Sequence, residues 1–162
     1  MTAVALFGAG GKMGLRIGRN LVASRFSVLP VEVSEAGRAR FAEAHGIACV
    51  GAEDAIAKAQ VIVLAVPDTV IGAVTQGLVP KLRPGTMVII LDAAAPHAGH
   101  LPERADITYF VTHPCHPPIF NDETDPAARA DHFGGIAAKQ HIVSALMQGP
   151  EEHYALGEEV AR

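Results

Sequence analysis

Residues 8–14 read Gly8-Ala9-Gly10-Gly11-Lys12-Met13-Gly14. Glycine tolerates positive φ in a tight turn and lets backbone N–H groups come close to a bulky anion. The run follows a short apolar stretch and opens a helical pattern, the context in which such a turn holds a diphosphate at a helix N-terminus. The sixth position of the strict GxGxxG pattern is Met13, so the fit is to Gly8-x-Gly10-x-x-x-Gly14 or Gly8-x-x-Gly11-x-x-Gly14. Glu32 stands 18 residues beyond Gly14, at the end of the next apolar stretch. A carboxylate there accepts hydrogen bonds from ribose hydroxyls and repels a 2′-phosphate. Val33, not an arginine, follows it, and Arg38 and Arg40 lie further on in a helical pattern. The ligand these residues describe is a dinucleotide, NAD in preference to NADP. The contacts expected for it are Gly8, Gly10, Gly11, Lys12, Met13 and Glu32. Val66-Pro67-Asp68 is expected to flank its ribose and diphosphate from across the sheet. For Asp68 a second reading stays open, as the cap of the following helix.

A second group is rich in histidine. His97, His100, His113 and His116 all fall between residues 97 and 116. His113 and His116 are three apart among Pro114, Pro117 and Pro118. Prolines fix φ and lower the entropy lost when a loop is ordered. Oxidising an alcohol by hydride transfer needs a base for the hydroxyl proton, and histidine suits that work. The expected base is His113, with His116 second; the alternative is that both only brace the loop. A divalent metal held partly by His116 would polarise a carbonyl, although the spacing matches no recognised ligand cluster. His97 and His100 read as surface residues and Cys115 as a packed, inert cysteine.

The elements that must position these groups follow from hydrophobic period. Short apolar runs at Thr2–Phe7, Ser27–Val33, Ile47–Val50, Val61–Val66, Met87–Leu91, Tyr109–Thr112 and Ile142–Leu146 read as strands. Helical patterns begin at Lys12 and cover Ala36–His45, Glu53–Ala59 and Val70–Leu78, with a last helix expected to start at Pro150. Ala93–Glu103 and His113–His132 are the long irregular stretches. Strands alternating with helices predict an α/β fold: a Rossmann-type, doubly wound, mostly parallel sheet with helices on both faces.

Composition agrees. The 162 residues are 49% hydrophobic and 19% charged, with few aromatics and no Trp, so the core must be aliphatic. A net charge of −4 without a basic block speaks against nucleic acid and anionic membrane as partners. No apolar run is long enough to span a bilayer. The start shows no secretory signal, and two cysteines make no framework, which points to a cytoplasmic setting.

Several motifs resemble a known group. The glycine turn with Lys12-Met13-Gly14, the end Leu64-Ala65-Val66-Pro67-Asp68 and a strand leading to His113-Pro114 are similar to NAD-binding domains of the 6-phosphogluconate dehydrogenase-like superfamily. That superfamily includes prephenate dehydrogenases, pyrroline-carboxylate reductases and ketol-acid reductoisomerases. Within it, Leu91-Asp92-Ala93-Ala94-Ala95-Pro96, the run Thr112–Pro118, Phe120–Thr124 and Gln148–Tyr154 resemble the D-apionate oxidoisomerases. The resemblance implies an NAD-dependent oxidoreductase that oxidises a branched sugar acid and rearranges its skeleton to 3-oxo-isoapionate. The alternatives are a related dehydrogenase or reductase for another hydroxy or keto acid, and an NAD-binding module without catalysis. The superfamily also implies a mostly helical C-terminal domain that closes the substrate site and makes a homodimer. Residues 1–162 are expected to be a single nucleotide-binding domain without it.

Overall fold

The computed structural model describes residues 1–115, 123–131, 137–138 and 140–162. Six strands form one sheet: β1 (Ala3–Phe7), β2 (Ser27–Val31), β3 (Val61–Leu64), β4 (Met87–Ile90), β5 (Thr108–Pro114) and β6 (Ile142–Gln148). Their order is β2-β1-β3-β4-β5-β6. The first five run parallel. β3 and β4 are buried at every position, as aliphatic strands covered on both faces must be.

Helices α1 (Lys12–Val22) and α2 (Glu35–His45) cover one face, joined by α7 (His153–Ala161). Their core includes Leu6, Leu21, Phe41, Ile89, Phe110 and Val160. On the other face lie α3 (Ala52–Lys58), α4 (Asp68–Leu78) and the short α5 (Ala94–His97), around Ile62, Leu64, Ile71, Ile90 and Tyr109. A five-residue helix, α6 (Pro126–Ala130), is capped by Asp125, whose carboxylate accepts from Ala127 N. The chain goes from β1 outward to β2 and then back across to β3. The crevice between β1 and β3 at their C-terminal ends is thus the switch point of a doubly wound sheet, the place where such folds put ligands.

The sheet is mostly parallel, as expected, and several expected elements change. Ile47–Val50 is not a strand. Val50 N donates to Pro30 O at 2.8 Å, but Pro30 has no N–H to return a bond, so no ladder forms on that edge. β6 runs antiparallel to β5. The chain leaves and re-enters at the same end of the sheet, where Cys115 N donates to His141 O at 2.8 Å, so it can only run back. The last helix begins at His153, not Pro150. Pro150 O and Glu151 O instead accept from His153 N and Tyr154 N in a tight lead-in turn. Finally, β5 extends to Pro114 because β6 pairs with it that far. His113 therefore lies on a strand and not in a loop.

Candidate functional site

The glycine turn leaves β1 at the switch point. Gly8 has φ +77°, and a Cβ there would strike the Ala65 carbonyl at the end of β3. A Cβ on Gly14 would strike the Gly8 and Ala9 carbonyls, so α1 can sit against the turn only with glycine there. At Gly11 a Cβ would meet only Gly8 O, at 3.4 Å, and the turn is open on that side.

Most of the turn's amides are used in holding its shape. Gly8 N and Ala9 N donate to Val31 O at 3.0 and 3.2 Å, and Gly11 N donates to Gly8 O at 3.1 Å. Gly10 N donates to the Glu32 carboxylate at 3.0 Å. The amides that remain for an anion are those of the first turn of α1, beginning at Lys12 and Met13. No side chain caps α1, and its first turn carries no acidic residue. By contrast, Ser34 caps α2 through Gly37 N. An uncapped helix end beside an open glycine turn fits a diphosphate.

Glu32 sits just past β2, half-buried. One of its oxygens takes Gly10 N and the other Ser34 N, at 2.9 Å. Gly37 makes room for it: a Cβ on Gly37 would lie 2.7 Å from Glu32 Cγ. Both arginines of α2 also return to this corner. Arg38 donates to Glu32 O and Val33 O, each at 3.2 Å. Arg40 grips Gly10 O through two nitrogens at 3.2 and 3.1 Å. Cys49 is nearby; burial pushes its thiol up, and the Glu32 charge adds to the shift.

A cavity of about 500 Å³ runs along the C-terminal sheet edge from this turn. Gly11, Lys12, Met13 and Arg16 form one wall, and Ala65, Val66, Pro67 and Asp68 another. Pro67 holds the cap position of α4 without a side-chain cap bond, and Asp68 is the first helical residue, exposed on the cavity wall. The cap reading of Asp68 thus gives way. The far end is Leu91, Asp92, His113, Pro114 and Gln140. A second cavity of about 370 Å³ opens between α1, α7 and the sheet and shares Met13, Arg16, Leu91, Pro114 and Gln140 with the first. Arg16 donates to Gln140 at their boundary.

His113 is an exposed residue near the end of β5. Its Nδ1 is 3.2 Å from Leu91 O and 3.5 Å from Asp92 Oδ2. A carbonyl only accepts, so this hydrogen bond is made by a protonated Nδ1, and in the neutral ring the lone pair is then on Nε2. Asp92 was not singled out as a partner by sequence reasoning. The signal lies in strand register: β4 and β5 are parallel with Ile90 opposite Val111, so two residues on, Asp92 comes beside His113.

His116, the second candidate base and the candidate metal ligand, lies outside the described residues. Among the described residues, no three His, Cys, Asp or Glu side chains come together to hold a metal. His97 ends α5, and both it and His100 are exposed away from the cavity lining. Cys115 is half-buried, its thiol 3.8 Å from His113 O. No helix among the described residues is long and apolar enough to cross a membrane.

Comparison with known proteins gives this geometry a family. Residues 3–101 match the NAD binding domain of 6-phosphogluconate dehydrogenase. The chain belongs to this family. Residues 121–162 match the C-terminal region of decarboxylating phosphogluconate dehydrogenase. Over all 162 residues the chain is 66% identical to a D-apionate oxidoisomerase of Rhizobium rhizogenes, and over 159 residues 62% identical to one of Cupriavidus necator. It spans 59% and 58% of those proteins' lengths. A semialdehyde dehydrogenase NAD-binding protein from Cupriavidus necator, solved with calcium and NAD, superposes with a TM-score of 0.92 at 61% identity. That match covers 99% of this chain and 58% of the other. An NADH-preferring ketol-acid reductoisomerase at 17% identity and TM-score 0.73 shares the fold. The family's cofactor, NAD, is thus the dinucleotide that the glycine turn and Glu32 were read to describe.

Proposed function

We propose that the protein is an NAD-dependent oxidoreductase acting on a small branched sugar acid, an oxidoisomerase of the apionate type that yields 3-oxo-isoapionate. The observation that carries the reading is one cavity with a nucleotide turn at one end and His113 at the other. The identity to proteins named D-apionate oxidoisomerase supports the substrate class.

In this reading Gly8, Gly10 and Gly11 shape the turn, and the amides of Lys12 and Met13 meet the diphosphate. Glu32 accepts from the adenine ribose, while Val66, Pro67 and Asp68 flank the other side. The bound cofactor supplies the hydride acceptor. His113 Nε2 takes the proton of the hydroxyl being oxidised, while Nδ1 keeps its proton on the Leu91 side. His116 is the second base in the same proposal. The setting proposed is cytoplasmic, and the assembly a homodimer made through a C-terminal helical domain. Two free cysteines suit the first, and resemblance to the superfamily supports the second.

His113→Asn in the complete protein tests the base. Turnover of apionate with NAD is expected to fall about 10²-fold or more, with NADH affinity unchanged. Native turnover in the variant would remove His113 from the reaction.

A further inference from the structure

We propose that Asp92 is a positioning residue for His113: its carboxylate keeps the imidazole proton on Nδ1 and faces the positive charge that the ring acquires when Nε2 takes a proton. The inference deepens the proposed function and rests on His113 being its base.

Two contacts fix the Asp92 carboxylate. Oδ1 accepts from Ala94 N at 2.7 Å, closing a turn at the start of α5. This bond orients the carboxylate plane, and Oδ2 is then 3.5 Å from His113 Nδ1. Leu91 O and Asp92 Oδ2 thus present two acceptors to the same ring nitrogen. A ring nitrogen that faces these two acceptors carries a proton, so in the neutral ring the lone pair is on Nε2. Asp92 is only 30% exposed and lines the cavity with His113. A substrate and cofactor filling that cavity would displace water and strengthen the attraction between carboxylate and imidazolium.

The turn at Ala94 offers a simpler role for Asp92, as a local cap. The two roles separate in Asp92→Asn. An asparagine oxygen accepts from Ala94 N as well as a carboxylate does, so the fold is retained. Its second atom becomes an NH₂ group, a donor facing a donor at Nδ1, and the negative charge is gone.

The experiment compares native protein, Asp92→Asn, His113→Asn and the double variant, in the complete protein with NAD and apionate. The expected Asp92→Asn phenotype is a kcat about 10²-fold lower, with unchanged NADH affinity and thermal midpoint. Since Asp92 acts through His113, adding Asp92→Asn to His113→Asn is expected to cost no more than about twofold further. A native kcat in Asp92→Asn overturns the proposal, and so does a full extra loss in the double variant. A parallel fall in kcat and NADH affinity overturns it as well, since Asp92 would then serve the cofactor. Nitrogen NMR of the His113 ring gives a readout independent of turnover. The Nδ1–H form is expected in the native protein and a shift toward Nε2–H in Asp92→Asn. The same tautomer in both sinks the inference whatever the substrate proves to be. A tautomer shift in a protein that turns over no sugar acid would retain the positioning role and discard the proposed substrate.

Discussion

Gly37 is a residue whose value sequence reasoning passed over. It lies in the first turns of α2, where glycine is a poor helix former. It is there because a Cβ at this position would strike the Glu32 side chain, while a Cβ on Gly10 would in turn strike the Gly37 backbone. Gly37→Ala is expected to displace the Glu32 carboxylate and weaken NADH binding about tenfold, roughly 1.4 kcal/mol, as read by nicotinamide fluorescence. Native affinity in that variant would mean that Glu32 is not needed in its present place. At this scale the sequence announced the glycine turn and Glu32 because both are local signals: a run of glycines, and an acid after an apolar stretch. Asp92 beside His113 was hidden, since 21 residues separate them and only the β4–β5 register joins them. Arg40 on Gly10 O was hidden for the same reason, with 30 residues between.

Tyr109 shows what elements do to a side chain. It is a buried residue of β5, and its hydroxyl donates to Pro102 O at 2.7 Å, pinning the α5–β5 connection to the sheet. Burial raises its pKa above the ordinary value of 10.0, against a smaller opposite effect from Arg104. The neutral phenol is therefore the form that the fold favours. Its contribution to stability is complete below about pH 10, the unfolded value, and is lost as pH rises through the higher folded value. Tyr109→Phe is expected to cost about 1 kcal/mol at neutral pH through the lost hydrogen bond. It should also flatten the alkaline fall of the thermal midpoint. An alkaline limb identical to the native one would contradict the assignment. The longer helices and the buried strands were plain in the sequence, because β3 and β4 are unbroken aliphatic runs and α1 has a four-residue repeat, whereas the short α5 and α6 lie in stretches that read as irregular. Their ends were less plain. β5 outran its apolar stretch because β6 pairs with it through Pro114, and Ile47–Val50 lost its strand to a proline on the neighbouring edge.

For the whole molecule, a single topological fact explains the site. The order β2-β1-β3-β4-β5-β6 opens a crevice beside β1, and the cavity follows the C-terminal edge from there to β5. The glycine turn, Val66–Asp68 and the Asp92–His113 pair are distant in sequence but all leave the same edge. The alternation of strands and helices predicted that much, since parallel strands deliver all their C-terminal ends to one side. The reversal of β6 was not predictable from its own residues, because an apolar alternating strand reads the same in either direction. The NAD site proposed on this edge rests on the glycine turn and Glu32. The direct test is titration of the native chain and of Glu32→Gln with NADH and NADPH, followed by nicotinamide fluorescence. Tight NADH binding, weak NADPH binding, and loss of most of that preference in the variant are the expected results. Equal affinity for both nucleotides in the native chain, or a preference that survives Glu32→Gln, would contradict the proposed site.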